Sequence, residues 1–148
     1  MSLDVYLTIE GAEAQGTGIF IREHGITKEI TRAEWDVKFP GREPVVAHSA
    51  GIPGEVYHAN VTHNLNKMAQ AAGIYKYVWR PEEVGITKAK ELIRPLRKGI
   101  ELLESNPVYF KQYNPSNGWG SYLDFVPWLK QYLRACKQYP EATVSVWR

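Results

Sequence analysis

Apolar residues recur with two different periods along this chain, and the points where the period changes restrict the fold more than any other feature. Leu3, Val5, Leu7 and Ile9 alternate with Asp4, Tyr6 and Thr8, as in a strand buried on one face. The segment Ala142–Trp147 alternates again. Between them, Leu92, Ile93, Leu96, Ile100 and Leu103 recur at helical spacing, and so do Tyr122, Phe125, Val126, Leu129, Leu133 and Cys136. Gly18–Arg22 and Ile26–Ile30 read as a hairpin turning through Glu23, His24 and Gly25, the glycine supplying positive φ. Thr31-Arg-Ala-Glu34 is a capping box that opens a short helix near Arg32, running toward Lys38 and stopped by Pro40-Gly41. Strands first, helices next and a strand last predict a single α+β domain over residues 1–148. Its small, mostly antiparallel sheet combines the N-terminal strand, the hairpin and the C-terminal strand, packed against several helices on one face.

The middle of the chain is punctuated by caps and prolines. Pro44–Ala47 is a candidate short strand. Val56 and Tyr57 lead into Ala59–Leu65, from which Leu65, Met68, Ala69 and Ala72 continue at helical spacing to Gly73, a C-terminal cap. Thr62 or Asn60 is placed to cap that helix, and Thr87 to cap the next. Pro95 inside the long stripe predicts a kink or a restart. Asn106-Pro107 opens a further short turn.

Composition excludes several classes. One cysteine in 148 residues rules out a disulfide scaffold and a Cys-based zinc finger. No apolar run is long enough to span a bilayer, and the first residues lack the features of a secretory signal, so a cytoplasmic protein is expected. Five Trp and nine Tyr are a heavy aromatic load, suited to a core, a ligand pocket or a two-fold interface that would make a homo-oligomer. Charge is divided: residues 1–74 hold 6 basic and 9 acidic side chains, a net of −3, and residues 75–148 hold 12 and 7, a net of +5. That asymmetry favours an anionic partner for the second half but is too mild for a nucleic-acid footprint.

Two polar stretches carry the candidate site. Asn60, Thr62, His63 and Asn64 fall where an extended segment enters a helix, and the free N–H groups of a first turn attract carboxylates and phosphates. Capping explains the same residues without a ligand. Asn114–Tyr122 is a turn-rich loop in which Gly118 and Gly120 flank Trp119, so that Trp119 or Tyr122 can stack on a planar ring. Trp79 adds a further ring, and Arg80 and Arg97, from a basic segment, can fork onto an anion. No cofactor is implied: the chain has no phosphate-binding Gly-Lys-Ser/Thr loop and no dinucleotide fingerprint. His58 and His63 lack the spacing of a helical metal pair. The ordinary histidine pKa near 6.5 would suit His63 to general-base work, but no activated nucleophile accompanies it, so no catalytic residue is assigned.

The blocks Ala59-Asn-Val-Thr-His-Asn-Leu-Asn-Lys-Met-Ala69, Ala72-Gly-Ile-Tyr75, Trp79-Arg-Pro81 and Asn114-Pro-Ser-Asn-Gly-Trp-Gly-Ser-Tyr122 resemble a group of small proteins encoded by bacteriophages, prophages and some bacteria. The resemblance implies a phage or prophage origin and, with it, the bacterial host cytoplasm. It brings no activity. The leading expectation is an accessory protein that binds a small anionic, nucleotide-like ligand, for example to sequester a host defence signal. The alternatives are an inhibitor that docks on a host protein through an aromatic patch, and a small hydrolase or transferase using His63.

Overall fold

The computed structural model describes residues 1–12, 17–45 and 54–148. Five strands, β1 (Ser2–Thr8), β2 (Phe20–Glu23), β3 (Ile26–Glu29), β4 (Glu55–Thr62) and β5 (Thr143–Trp147), form one antiparallel sheet in the order β2-β3-β4-β1-β5. The helices are α1 (Arg32–Lys38), α2 (Asn66–Ala71), α3 (Tyr75–Trp79), α4 (Lys90–Ser105), α5 (Pro107–Lys111) and α6 (Tyr122–Gln138). This is the α+β class that the two periodicities indicate.

Alternation decides the faces. Leu3, Val5 and Leu7 of β1 stand opposite Val61, Ala59 and Tyr57 of β4, and Val5 and Leu7 stand opposite Val146 and Val144 of β5. This apolar face packs against Leu92, Leu96, Ile100 and Leu103 of α4 and Phe125, Leu129, Tyr132 and Cys136 of α6 in one continuous core. Burial pushes the Cys136 thiol up to about 12, so it is an inert apolar residue. A satellite cluster of Ile19, Ile21 and Ile30 is covered by Trp35 and Phe39 at α1.

Local chemistry accounts for most boundaries. His24 and Gly25, at φ 52° and 82°, make the tight turn between β2 and β3. The Thr31–Glu34 capping box forms as expected. Ser121 caps α6, accepting from the Asp124 N–H while its hydroxyl donates to the Asp124 carboxylate at 2.8 Å.

Four sequence expectations need correction or fall outside the described residues. Glu55–Thr62 is a full strand at the centre of the sheet, so Asn60 is a strand residue and only Thr62 caps the 3-10 turn His63–Leu65 that precedes α2. Thr87 does not cap α4: the Glu91 carboxylate accepts from the N–H groups of Thr87 and Lys88, while the Thr87 carbonyl accepts from the Val144 N–H and Lys88 bridges to Thr143 of β5. Of the two outcomes expected at Pro95, the restart does not occur: α4 is continuous from Lys90 to Ser105, its buried stripe on both sides of the proline held by the core. Pro44 and Val45 form no strand, and Val46 and Ala47, like His48, lie outside the described residues. No helix among the described residues is long and apolar enough to cross a membrane.

Candidate functional site

The second face of the sheet is polar and aromatic. Along one register line Arg22 of β2 faces Thr27 of β3, Thr27 faces Asn60 of β4, Asn60 faces Asp4 of β1, and Asp4 faces Trp147 of β5. Residues directly opposite across a sheet share a face, so a single rung brings together side chains from all five strands.

Hydrogen bonds bind this rung into one network. Arg22 Nη1 donates to Asn60 Oδ1 at 2.8 Å and to Thr27 Oγ1 at 3.1 Å. Asn60 Nδ2 donates to Asp4 Oδ1 at 2.9 Å and to Ser2 Oγ at 2.8 Å. The His58 Nε2–H donates to Asp4 Oδ1 at 3.0 Å. Asn60 is only 5% exposed, and its amide is matched on both sides, as a buried polar group must be.

Beside the polar rung runs a row of rings. Phe20 and His58 lie 6.4 Å apart, His58 stacks on Tyr6 at 4.5 Å and 8°, and Tyr6 meets Trp147 at 5.9 Å. Burial, with Asp4 and Glu55 close by, raises the Tyr6 phenol above its ordinary value, so it is a neutral hydroxyl at physiological pH.

The Asn114–Ser121 loop closes one end of the rung. Asn114 and Asn117 brace it from within, accepting from the N–H groups of Tyr122 and Trp119. Asn64 Nδ2 donates to the Trp119 carbonyl at 3.3 Å. Beneath the loop a Cβ on either Gly25 or Gly120 would stand 2.8 Å from Thr62 Cγ2. The two glycines therefore let the hairpin turn and the loop close over Thr62, and the Arg22 guanidinium sits 5.6 Å from the centroid of the Trp119 ring.

The sequence-derived residues divide between this site and the scaffold. Asn60 is in the network, and Trp119, 43% exposed, is at its end. Thr62 and Asn64 fasten the loop to β4: Thr62 Oγ1 accepts from the Asn64 N–H, and both touch the loop. His63 faces away, its Nδ1 accepting from the buried indole of Trp79 at 2.9 Å. With that lone pair engaged, only an Nε2–H is left to the ring. Burial first, and then the N-terminal ammonium, lower the His63 pKa and keep it neutral. Trp79 is a core residue, stacked on Tyr75 and tilted against Phe125. Tyr122 is buried and donates its hydroxyl to the Leu103 carbonyl. Arg80 is held by Tyr75 and Glu83, and Arg97 is exposed on α4.

Arg22, Asp4, His58, Tyr6 and Trp147 were not legible as site residues, although the alternation of His58, Asn60 and Thr62 with Tyr57, Ala59 and Val61 is the signal of a strand with one polar face. Chemically, the rung offers two things. Arg22 spends Nη1 on Asn60 and Thr27, and its Nε and Nη2 have no hydrogen-bond partner among the described residues. His58 turns Nε2 to a carboxylate, and no described residue is hydrogen-bonded to its Nδ1. Among the described residues no group of three or more His, Cys, Asp or Glu could hold a metal ion.

No protein-family model, curated protein or solved structure matches this chain.

Proposed function

We propose that the protein binds a small anionic ligand bearing a planar ring, nucleotide-like in its chemistry, on the polar face of its sheet. The observation that carries this reading is the held guanidinium of Arg22. Asn60 and Thr27 fix it at one nitrogen and Trp119 lies against it, while no described residue is hydrogen-bonded to its Nε or Nη2. A guanidinium with its position already fixed loses little side-chain freedom when it forks onto phosphate or carboxylate. The half-exposed Trp119, its ring centroid 5.6 Å from the guanidinium, supplies apolar surface for a ring beside it. In a phage or prophage setting, such binding would withdraw a host signalling nucleotide from its receptor.

The test is a thermal-shift panel of nucleoside mono- and diphosphates and cyclic dinucleotides, run on the wild type and on Arg22→Gln. A ligand present at 100 times its Kd stabilises the folded state by about 2.7 kcal/mol, which raises Tm by several degrees. The shift should appear in the wild type and vanish in Arg22→Gln. A panel without any shift at millimolar concentration, or an equal shift in both proteins, refutes the proposal.

A second reading, hydrolysis, is favoured by one observation: the Asp4–His58 pair has the carboxylate–imidazole arrangement of a general base, which His63 lacks. Turnover of a bound nucleotide that disappears in His58→Gln, with binding retained, would establish it. Binding with no turnover in the wild type would dismiss it.

A further inference from the structure

On the helix layer, between the α2–α3 junction and the outer flank of α4, lies a groove of about 720 Å³. Ile74, Tyr77, Pro95 and Leu102 line its apolar part, and Arg94 and Lys98 stand along its α4 side. The groove follows α4 from Arg94 to Ser105, about 16 Å at the rise of an α-helix. Gly99 lets the two helical layers meet at its base, since a Cβ there would fall 2.2 Å from Ile74 Cγ2.

Two features of the groove have no role in the fold. Arg94 and Lys98 are four residues apart, on one face of α4, and neither makes an ion pair or hydrogen bond with a described residue. The third cation of that turn, Arg97, likewise has no partner among the described residues, and Glu101 is the one carboxylate among the described residues that line the groove. Leu102 leaves 46% of its surface in solvent at the groove wall. Unmatched positive charge beside exposed apolar surface is complementary to a molecule with one anionic end and one apolar end.

We propose that this groove is a binding site for a small amphiphile with a single anionic head group. The head lies between Arg94 and Lys98, and the tail or ring lies over Tyr77, Pro95 and Leu102. The volume is that of a small-molecule site, whereas a length of about 16 Å is well short of what a standard protein–protein interface of roughly 800 Å² per partner needs. The site is separate from the sheet face, so each can fail without the other.

The probes are decanoate, decanol and decyltrimethylammonium, used to displace the fluorescent sulfonate 8-anilinonaphthalene-1-sulfonate from the full chain. Decanoate should displace the dye at concentrations where the alcohol and the cation do not. Arg94→Glu/Lys98→Glu should weaken decanoate by about tenfold or more, and added salt should weaken it in the wild type. Leu102→Asp should abolish it, while circular dichroism shows both variants melting as the wild type does. Equal displacement by all three amphiphiles, undiminished decanoate binding in the double variant, or a dark dye with the wild type overturns the proposal. So does light scattering that finds a dimer which Leu102→Asp dissociates, since the groove would then be covered by a second copy.

Discussion

Asn60 holds Arg22 in place from within the sheet: its Oδ1 accepts from Arg22 Nη1 at 2.8 Å, while its amide nitrogen is tied to Asp4 and Ser2 on the next strand. A nearly buried amide thus converts the position of β1 into the position of an exposed guanidinium on β2. The two residues are 38 apart in sequence, and β3 lies between their strands.

Removing that amide should cost both stability and the site. Asn60→Ala leaves Asp4, Ser2 and Arg22 each short of a partner, a loss of about 1–3 kcal/mol in chemical denaturation. Asn60→Asp is the sharper test. It sets a carboxyl against the Asp4 carboxylate, so one of the two must have a raised pKa in the folded state. The folded variant then binds protons more tightly than the unfolded one, and its stability relative to wild type should recover as pH falls toward 4. A deficit that stays constant from pH 7 to pH 4 would show that the two carboxyls do not interact.

His63 should make the protein acid-sensitive. Its pKa in the folded state lies below the ordinary value near 6.5, because burial first, and then the N-terminal ammonium, disfavours its charged form. A lowered histidine takes up its proton more readily when unfolded. Its contribution to stability is therefore complete above pH 6.5 and shrinks as pH falls below it. His63→Gln, which can still accept from the indole, should flatten the dependence of Tm on pH between 7.5 and 5. An unchanged slope would assign the sensitivity to other groups.

Gly99 tests the packing of the helix layer. Alanine is the better helix former by about 1 kcal/mol, yet a methyl at this position would fall 2.2 Å from Ile74 Cγ2. Gly99→Ala should therefore destabilise the wild type by about 1–3 kcal/mol. In an Ile74→Ala background the same change should be neutral or stabilising. Equal costs in both backgrounds would mean that the two side chains are uncoupled.

Ser121 is worth testing because α6 carries half of the helical core. Ser121→Ala removes the acceptor for the Asp124 N–H and should cost about 1 kcal/mol by urea denaturation, with Ser121→Thr, which keeps the hydroxyl, recovering most of it. A cost within error of zero would show that water replaces the cap.

The elements built from local rules were readable: the β2–β3 turn, the Thr31 box, the Asn106–Pro107 start and the two amphipathic helices depend on residues at most a few positions apart. β4 was not, because His58, Asn60 and Thr62 serve both as polar strand residues and as helix-capping types, and only the neighbouring strands decide between the two. The site was partly readable for the same reason. Asn60 and Trp119 stand out by composition, whereas Arg22 and Asp4 look like ordinary surface charges until sheet order and register place them on one line. Trp79 and Tyr122 look like stacking platforms until the core closes over them.

The five tryptophans permit a direct reading of the proposed site. In ¹H–¹⁵N correlation spectra, titration with guanosine and adenosine monophosphates should move the Arg22 Nε–H signal and the indole signal of Trp119. The indoles of Trp79 and Trp128, both in the core, should stay in place. Shifts of the core indoles with Arg22 unmoved, or a spectrum unchanged at millimolar nucleotide, would contradict an anion site on the polar face of the sheet.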